Sequence, residues 1–162
     1  MDNTQITNFK PLSKPCELHI LNGPNLDKLG QRNPEIYGCF SIKHLEEYCA
    51  EQLVKTTIKL VFEQTNFEGE LIELVHQAHQ NARAVIINAA GLTHTSVSLG
   101  DAVEMLEIPV FEVHLSQIYG RENFRNTSFI APHAKGVIAG FGINGYKWAI
   151  EMAKSQIENQ DI

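Results

Sequence analysis

An α/β fold is predicted for this chain: a three-layer α/β/α sandwich around a five-stranded parallel sheet. Three observations predict it. Short apolar runs alternate with longer stretches in which leucine, isoleucine and valine recur at spacings of three and four beside polar positions, as buried strands and amphipathic helices require. The repeated strand, helix, strand order implies parallel pairing through right-handed crossovers, with helices covering both faces of the sheet. Finally, 162 residues with 43% hydrophobic and 20% charged content suffice for the packed core of one domain and are too apolar for a disordered polymer.

Residues 1–15, MDNTQITNFKPLSKP, are polar with two prolines and read as a flexible leader without the apolar core of a signal peptide. Strands are expected at 17–21, 60–63, 84–88, 110–115 and 137–139. Helices are expected at 42–55, 70–81 and 97–106, and a last one over 146–157 places Ile150, Ala153 and Ile157 on one face. Ser41, Asn66 and Thr95 or Ser96 stand where an N-cap oxygen would receive the first free amides. No repeat, low-complexity tract or linker interrupts 16–157, so residues 16–162 are expected to form a single domain. Five strands in this order suggest a flavodoxin-like arrangement, in which ligands bind beyond the carboxyl ends of the strands where strand order reverses.

Lys and Arg total 13 against 19 Asp and Glu, a net charge of −6, which argues against a broad basic footprint for nucleic acid or anionic membrane. Cysteines 16, 39 and 49 are odd in number and form no CxxC pair, so neither a disulfide framework nor a zinc site is indicated. With no 18-residue apolar run, the expected location is the cytoplasm. Asn126-Thr127-Ser128 matches a glycosylation acceptor, a match without weight in a chain that shows no secretion signal.

Each of the first four strands runs into a polar cluster: Asn22-Gly-Pro-Asn25, Glu63-Gln-Thr-Asn66, Asn88-Ala-Ala-Gly-Leu-Thr-His94-Thr-Ser96 and Glu112-Val-His114-Leu-Ser116. Any one could be turn formers and caps; four at one sheet edge predict a polar cleft. His94 and His114 lack the i, i+4 spacing or adjacent third ligand of a zinc site. Acid and base roles suit them better, the alternative being histidines that merely bond to a loop. Residues 93–96 open a helix whose free amides favour an anion.

The connection from Asn22 to Ser41, about twenty residues, far exceeds the usual four to six and reads as a lid. It carries Arg32 and Tyr37; a guanidinium beside the phenol would draw its pKa down from about 10 by favouring phenolate. An exposed loop tyrosine is the alternative. Gly140-Phe-Gly142-Ile-Asn-Gly145 spells the dinucleotide fingerprint, but in the last strand–helix unit, where close packing of the final helix is the preferred reading. A flavin- or nucleotide-binding module remains the competing function.

The segments LNGPNLDKLGQRNPEIYG, EQTNFEGELIELVHQA, INAAGLTHTSVSLGDAV and PVFEVHLSQIYGRENFRNTSFIAPHAKGVIAGFGINGY resemble type II 3-dehydroquinate dehydratase in order and spacing over about residues 16–150. The resemblance implies a flavodoxin-like subunit, a dodecamer of trimers, no metal or organic cofactor, and conversion of 3-dehydroquinate to 3-dehydroshikimate by anti elimination of water. It implies Tyr37 as the base, activated by Arg32, and Asn25 as holder of the water that stabilises the enolate. His114 would protonate the departing hydroxyl, with Glu112 fixing its orientation. Substrate binding would fall to Asn88, His94, the amides of Leu115 and Ser116, and Arg125, while Asp101 would reach a neighbouring subunit's site.

The chain departs from the family pattern at four places. Gly100 stands where an arginine is common, Glu63 where a basic residue is common, Gln117-Ile-Tyr-Gly120 in place of Asn-x-His-Ala, and Asn88-Ala-Ala-Gly91 in place of Asn-Pro-Gly-Ala. With acid, base and arginine all present, activity with an altered rim is expected; a catalytically silent assembly protein is the further alternative.

Overall fold

The five apolar runs form strands β1 (Glu17–Asn22), β2 (Lys59–Gln64), β3 (Ala84–Asn88), β4 (Val110–His114) and β5 (Gly136–Ala139) of one parallel sheet in the order β2-β1-β3-β4-β5. The computed structural model describes residues 15–31 and 40–160; residues 1–14 and 32–39, among them Arg32, Tyr37 and Cys39, lie outside them. Helices α1 (Ile42–Glu51), α2 (Glu68–Asn81), α3 (Val97–Glu104) and α4 (Asn144–Gln160) alternate with the strands. This is the α/β sandwich that the periodicity predicts.

Strand alternation sends side chains to two cores. Leu18, Ile20, Ile86 and Val113 meet Leu45 and Cys49 of α1 and Tyr146, Ile150, Ala153 and Ile157 of α4. On the other face, Leu21, Val85, Ile87 and Val110 meet Leu71, Val75 and Ala78 of α2 and Leu99, Ala102 and Val103 of α3. Burying each leucine or isoleucine contributes about 1.5–3 kcal/mol, so each helix is held by its apolar stripe. Burial also pushes the Cys49 thiol up to about 12, which leaves it an inert core residue.

Two helix starts follow the expected caps: Ser41 Oγ accepts from His44 N at 3.1 Å and Ser96 Oγ from Leu99 N at 2.9 Å. The third does not. Thr65 Oγ1 accepts from Phe67 N at 3.1 Å, and Asn66 instead turns its Oδ1 to Asn25 N at 2.7 Å, so α2 begins at Glu68 without a side-chain cap. Helix α1 stops at Glu51, short of residue 55, because Thr56 Oγ1 donates to Leu53 O at 2.8 Å and accepts from Ile58 N at 3.2 Å; such a side chain competes with the helix ladder. Strand β3 spans the expected 84–88, and the remaining boundaries agree or differ by at most three residues, as fraying ends do. Among the described residues no helix is long and apolar enough to cross a membrane.

Candidate active site

Strand order reverses between β1 and β3, where the chain leaves β1 first for β2 and then for the other side. Their last residues, Asn22 and Asn88, lie side by side in register. Tyr146, fully buried on α4, joins them: its hydroxyl donates to Asn22 Oδ1 at 2.6 Å and accepts from Asn88 Nδ2 at 2.8 Å, while Asn22 Nδ2 donates to Glu63 O at 3.1 Å. Burial pushes the Tyr146 phenol far above its usual pKa, outweighing the Asn88 bond; the hydroxyl is a structural donor here.

Beyond this network opens a cleft of about 160 Å³, lined by the β1 exit (Pro24, Asn25, Leu26), the β3 exit (Asn88, Ala90, Gly91, His94) and the β4 exit (His114, Leu115, Ser116), with Arg121 and Arg125 beside them. The 3-10 turn Ala90–His94 carries His94 from the end of β3 to a point where its ring stacks on His114, centroids 6.0 Å apart and planes 15° apart. Among the described residues no group of three or more His, Cys, Asp and Glu is placed to hold a metal ion.

The two imidazoles differ in their partners. His94 Nδ1 lies 2.7 Å from Thr127 O; a carbonyl only accepts, so Nδ1 carries the proton and Nε2 is left as an acceptor. Burial holds the His94 pKa below its ordinary value; the Thr127 bond opposes this, and the neighbouring His114 and Arg125 add to it. His114 Nε2 lies 2.8 Å from Glu112 Oε1, both side chains being almost wholly buried. An ionised Glu112 accepts only, which places the proton on Nε2 and leaves Nδ1 as the second nitrogen.

On the rim, Arg125 lies over the Phe124 ring at 4.8 Å and donates to Glu122 at 2.7 Å, and Arg121 reaches Ser116 Oγ at 3.4 Å. Phe124 also meets His94 edge-on, centroids 6.0 Å apart. Among the described residues, two backbone positions are left-handed without being glycine: Asn25 at φ 67° and Ala90 at φ 51°. Asparagine tolerates this region; alanine is strained there by roughly 1 kcal/mol or more. Asn88 Oδ1, which accepts from Ala90 N at 3.2 Å, helps to hold it.

Of the site residues expected from sequence, the cleft gathers Asn25, Asn88, His94, His114, Leu115, Ser116 and Arg125, with Glu112 behind His114. Arg32 and Tyr37 lie outside the described residues, and Asp101 is exposed on α3, where it does not line the cleft of its own chain. Sequence reasoning missed Tyr146 and Asn22 as a pair, Arg121, and Ser128, whose hydroxyl meets both Glu112 oxygens at 2.9 and 3.0 Å. Arg121 alone carried a signal, four residues before Arg125. In the fingerprint-like segment, Gly140 and Gly142 take φ 89° and 55°, and a Cβ on Gly145 would stand 3.4 Å from Val113 and 3.5 Å from Ile138. These glycines serve turn and packing.

A family model described as "Dehydroquinase class II" matches residues 16–154. The 3-dehydroquinate dehydratase of Maricaulis maris is 49% identical over 142 residues, 88% of this chain and 97% of that protein. The solved type II dehydroquinase from Propionibacterium acnes is similar at TM-score 0.76 and 35% identity, covering 87% of this chain and 98% of the other. That from Butyrivibrio crossotus reaches TM-score 0.79 at 35% identity, covering 85% and 97%.

Proposed function

The chain belongs to the class II dehydroquinase family, and from that membership we propose that it is a hydro-lyase that removes water from 3-dehydroquinate by anti elimination through an enolate. One observation carries this reading: the His114–Glu112 pair lies at the cleft where strand order reverses. An imidazole whose Nε2–H is held by a buried carboxylate can deliver a proton through Nδ1 when doubly protonated, and the carboxylate stabilises that imidazolium. Such acid catalysis is worth about 10²–10⁴ in rate.

In this account Tyr37, made phenolate by Arg32 when the lid closes, takes the proton alpha to the ketone. Charge then develops on the ketone oxygen. Asn25, fixed in its left-handed conformation by Asn66, holds the water that stabilises the enolate. Collapse of the enolate expels the ring hydroxyl as His114 protonates it, and the conjugated enone forms. Arg125 suits the ring hydroxyls, and the amides of Leu115 and Ser116 receive the carboxylate. Asn88 and His94 complete the binding set, and no metal or organic cofactor takes part.

The catalytic unit is the single domain 16–162, in the cytoplasm. Exposed Asp101 fits a reach into a neighbour's cleft, within a dodecamer of trimers. Mixing the protein with 3-dehydroquinate and following enone absorbance tests the reading. Steady turnover in the wild type and its loss in Tyr37→Phe, with substrate binding retained, are expected; near-normal turnover in Tyr37→Phe would remove the base, and a silent wild type would end the dehydratase reading. Bound flavin or stabilisation by a nucleotide would favour the competing module.

A further inference from the structure

Two consecutive residues of one irregular segment, Thr127 and Ser128, meet one cleft imidazole directly and the carboxylate partner of the other. The Thr127 carbonyl accepts from His94 Nδ1 at 2.7 Å. Ser128 Oγ stands 2.9 Å from Glu112 Oε1 and 3.0 Å from Oε2, while accepting from Ile130 N at 3.0 Å and Ala131 N at 2.9 Å. The single hydroxyl hydrogen is therefore shared between the carboxylate oxygens, and both lone pairs are engaged by the backbone. The direction in which Ser128 can donate is fixed by the chain itself.

The segment is itself seated. Phe129 N donates to Thr93 O at 2.9 Å, and a Cβ on Gly100 of α3 would come within 2.7 Å of Phe129 O. Only a glycine lets the helix approach the segment this closely, so Gly100 belongs to the support of the site.

We propose that Ser128 is a positioning residue that acts through Glu112 on His114. Its hydroxyl, donating between the two oxygens of the wholly buried Glu112 carboxylate, holds that carboxylate in orientation against Nε2 of His114. An ionised carboxylate accepts only, which holds His114 in its Nε2–H form with Nδ1 turned to exchange protons. Without Ser128 the carboxylate loses the donor that aims it at Nε2. An imidazole without a fixed acceptor at Nε2 no longer has its proton held there, and the proton on His114 redistributes toward Nδ1. His94, held by a backbone carbonyl, keeps its own form. The catalytic consequence rests on the dehydratase reading; the arrangement of protons does not.

Nitrogen NMR of 15N-histidine-labelled full-length protein, with signals assigned through His94→Gln and His114→Gln, reads these protons directly. The wild type is expected to show His114 protonated at Nε2 and His94 at Nδ1. Ser128→Ala should shift the His114 signature toward Nδ1 protonation, leave that of His94 in place, and lower kcat about tenfold or more with KM changed less than threefold; Ser128→Thr should restore both. Should Ser128→Ala not fold, Ser128→Cys, with its weaker donor, should give an intermediate shift and rate. A wild-type His114 protonated at Nδ1, or an unchanged His114 signature in Ser128→Ala or in Ser128→Cys, would overturn the assignment. A wild type with no dehydratase turnover would end the functional reading, while the nitrogen spectra would still decide Ser128.

Discussion

Two strands of this sheet carry the same Glu-x-His pair on the same face. At the amino end of β1, Glu17 Oε2 meets His19 Nε2 at 3.0 Å; at the carboxyl end of β4, Glu112 Oε1 meets His114 Nε2 at 2.8 Å. The strand period makes both pairs, since residues i and i+2 share a face, and the histidines are equally buried, 5% and 4% exposed. Their surroundings differ. Glu17 gives its second oxygen to Lys59 Nζ at 2.8 Å, a lysine 72% exposed at the sheet edge, whereas Glu112 is sealed from solvent beneath Ser128 and its histidine opens on the cleft. A carboxylate–histidine pair is thus no site in itself; chemistry comes from the end of the sheet at which it sits.

The sharpest way to break this contrast is to remove each histidine. His114→Ala should lower kcat by about 10²–10⁴, while His19→Ala should leave kcat within about twofold, as expected for a side chain remote from the reacting atoms. Comparable losses in enone formation would show that end position does not decide function. Glu112→Gln should lower kcat by about tenfold or more, because the amide no longer fixes the His114 tautomer or stabilises its imidazolium, and Glu17→Gln should cost little.

Stability should divide the two ends as well. Tyr146→Phe removes a buried hydroxyl with two partners and should cost about 1–3 kcal/mol, a fall of about 2–4 °C in melting temperature per kcal/mol. Lys59→Met removes an exposed ion pair and should stay within about 0.5 kcal/mol. Urea unfolding of both variants checks the ranking, and a larger loss for Lys59→Met would contradict it.

The smallest effects separate on the pH axis. His94 has its pKa lowered chiefly by burial from the ordinary 6.5, so below 6.5 the unfolded chain takes up a proton that the fold resists, and stability falls until the lowered folded value is passed. Glu17 has its carboxyl lowered by the Lys59 bond and then by His19 from the ordinary 4.5. Its contribution is complete above 4.5 and is lost as pH falls through the lowered folded value. His94→Gln should flatten unfolding free energy below pH 6.5, and Lys59→Met should flatten it only below 4.5; exchange of the two windows would contradict these causes.

The sequence allowed the five strands, the four helices and the β3 and β4 histidines to be read because their signals are local: period, cap and strand-end cluster. Glu112 and His114 were legible as a pair for the same reason. The Asn22–Tyr146–Asn88 network was not, since it joins residues 124 and 58 positions apart through strand register and the docking of α4. Ser128 sits in irregular backbone without a period, and its three residues with Thr127 read only as an acceptor motif. The Asn66 side chain, expected at a helix start, was drawn to Asn25 N because Thr65 already served Phe67. Gly100, a departure from the family pattern, acquires a reason only with Phe129 O at 2.7 Å from its missing Cβ.

Anti elimination at the carboxyl-end cleft is tested most directly with 3-dehydroquinate stereospecifically deuterated alpha to the ketone. Deuterium on the face opposite the departing hydroxyl should appear in solvent while deuterium on the same face stays in the enone. Loss of the same-face label, or failure to form enone from either substrate, would contradict it.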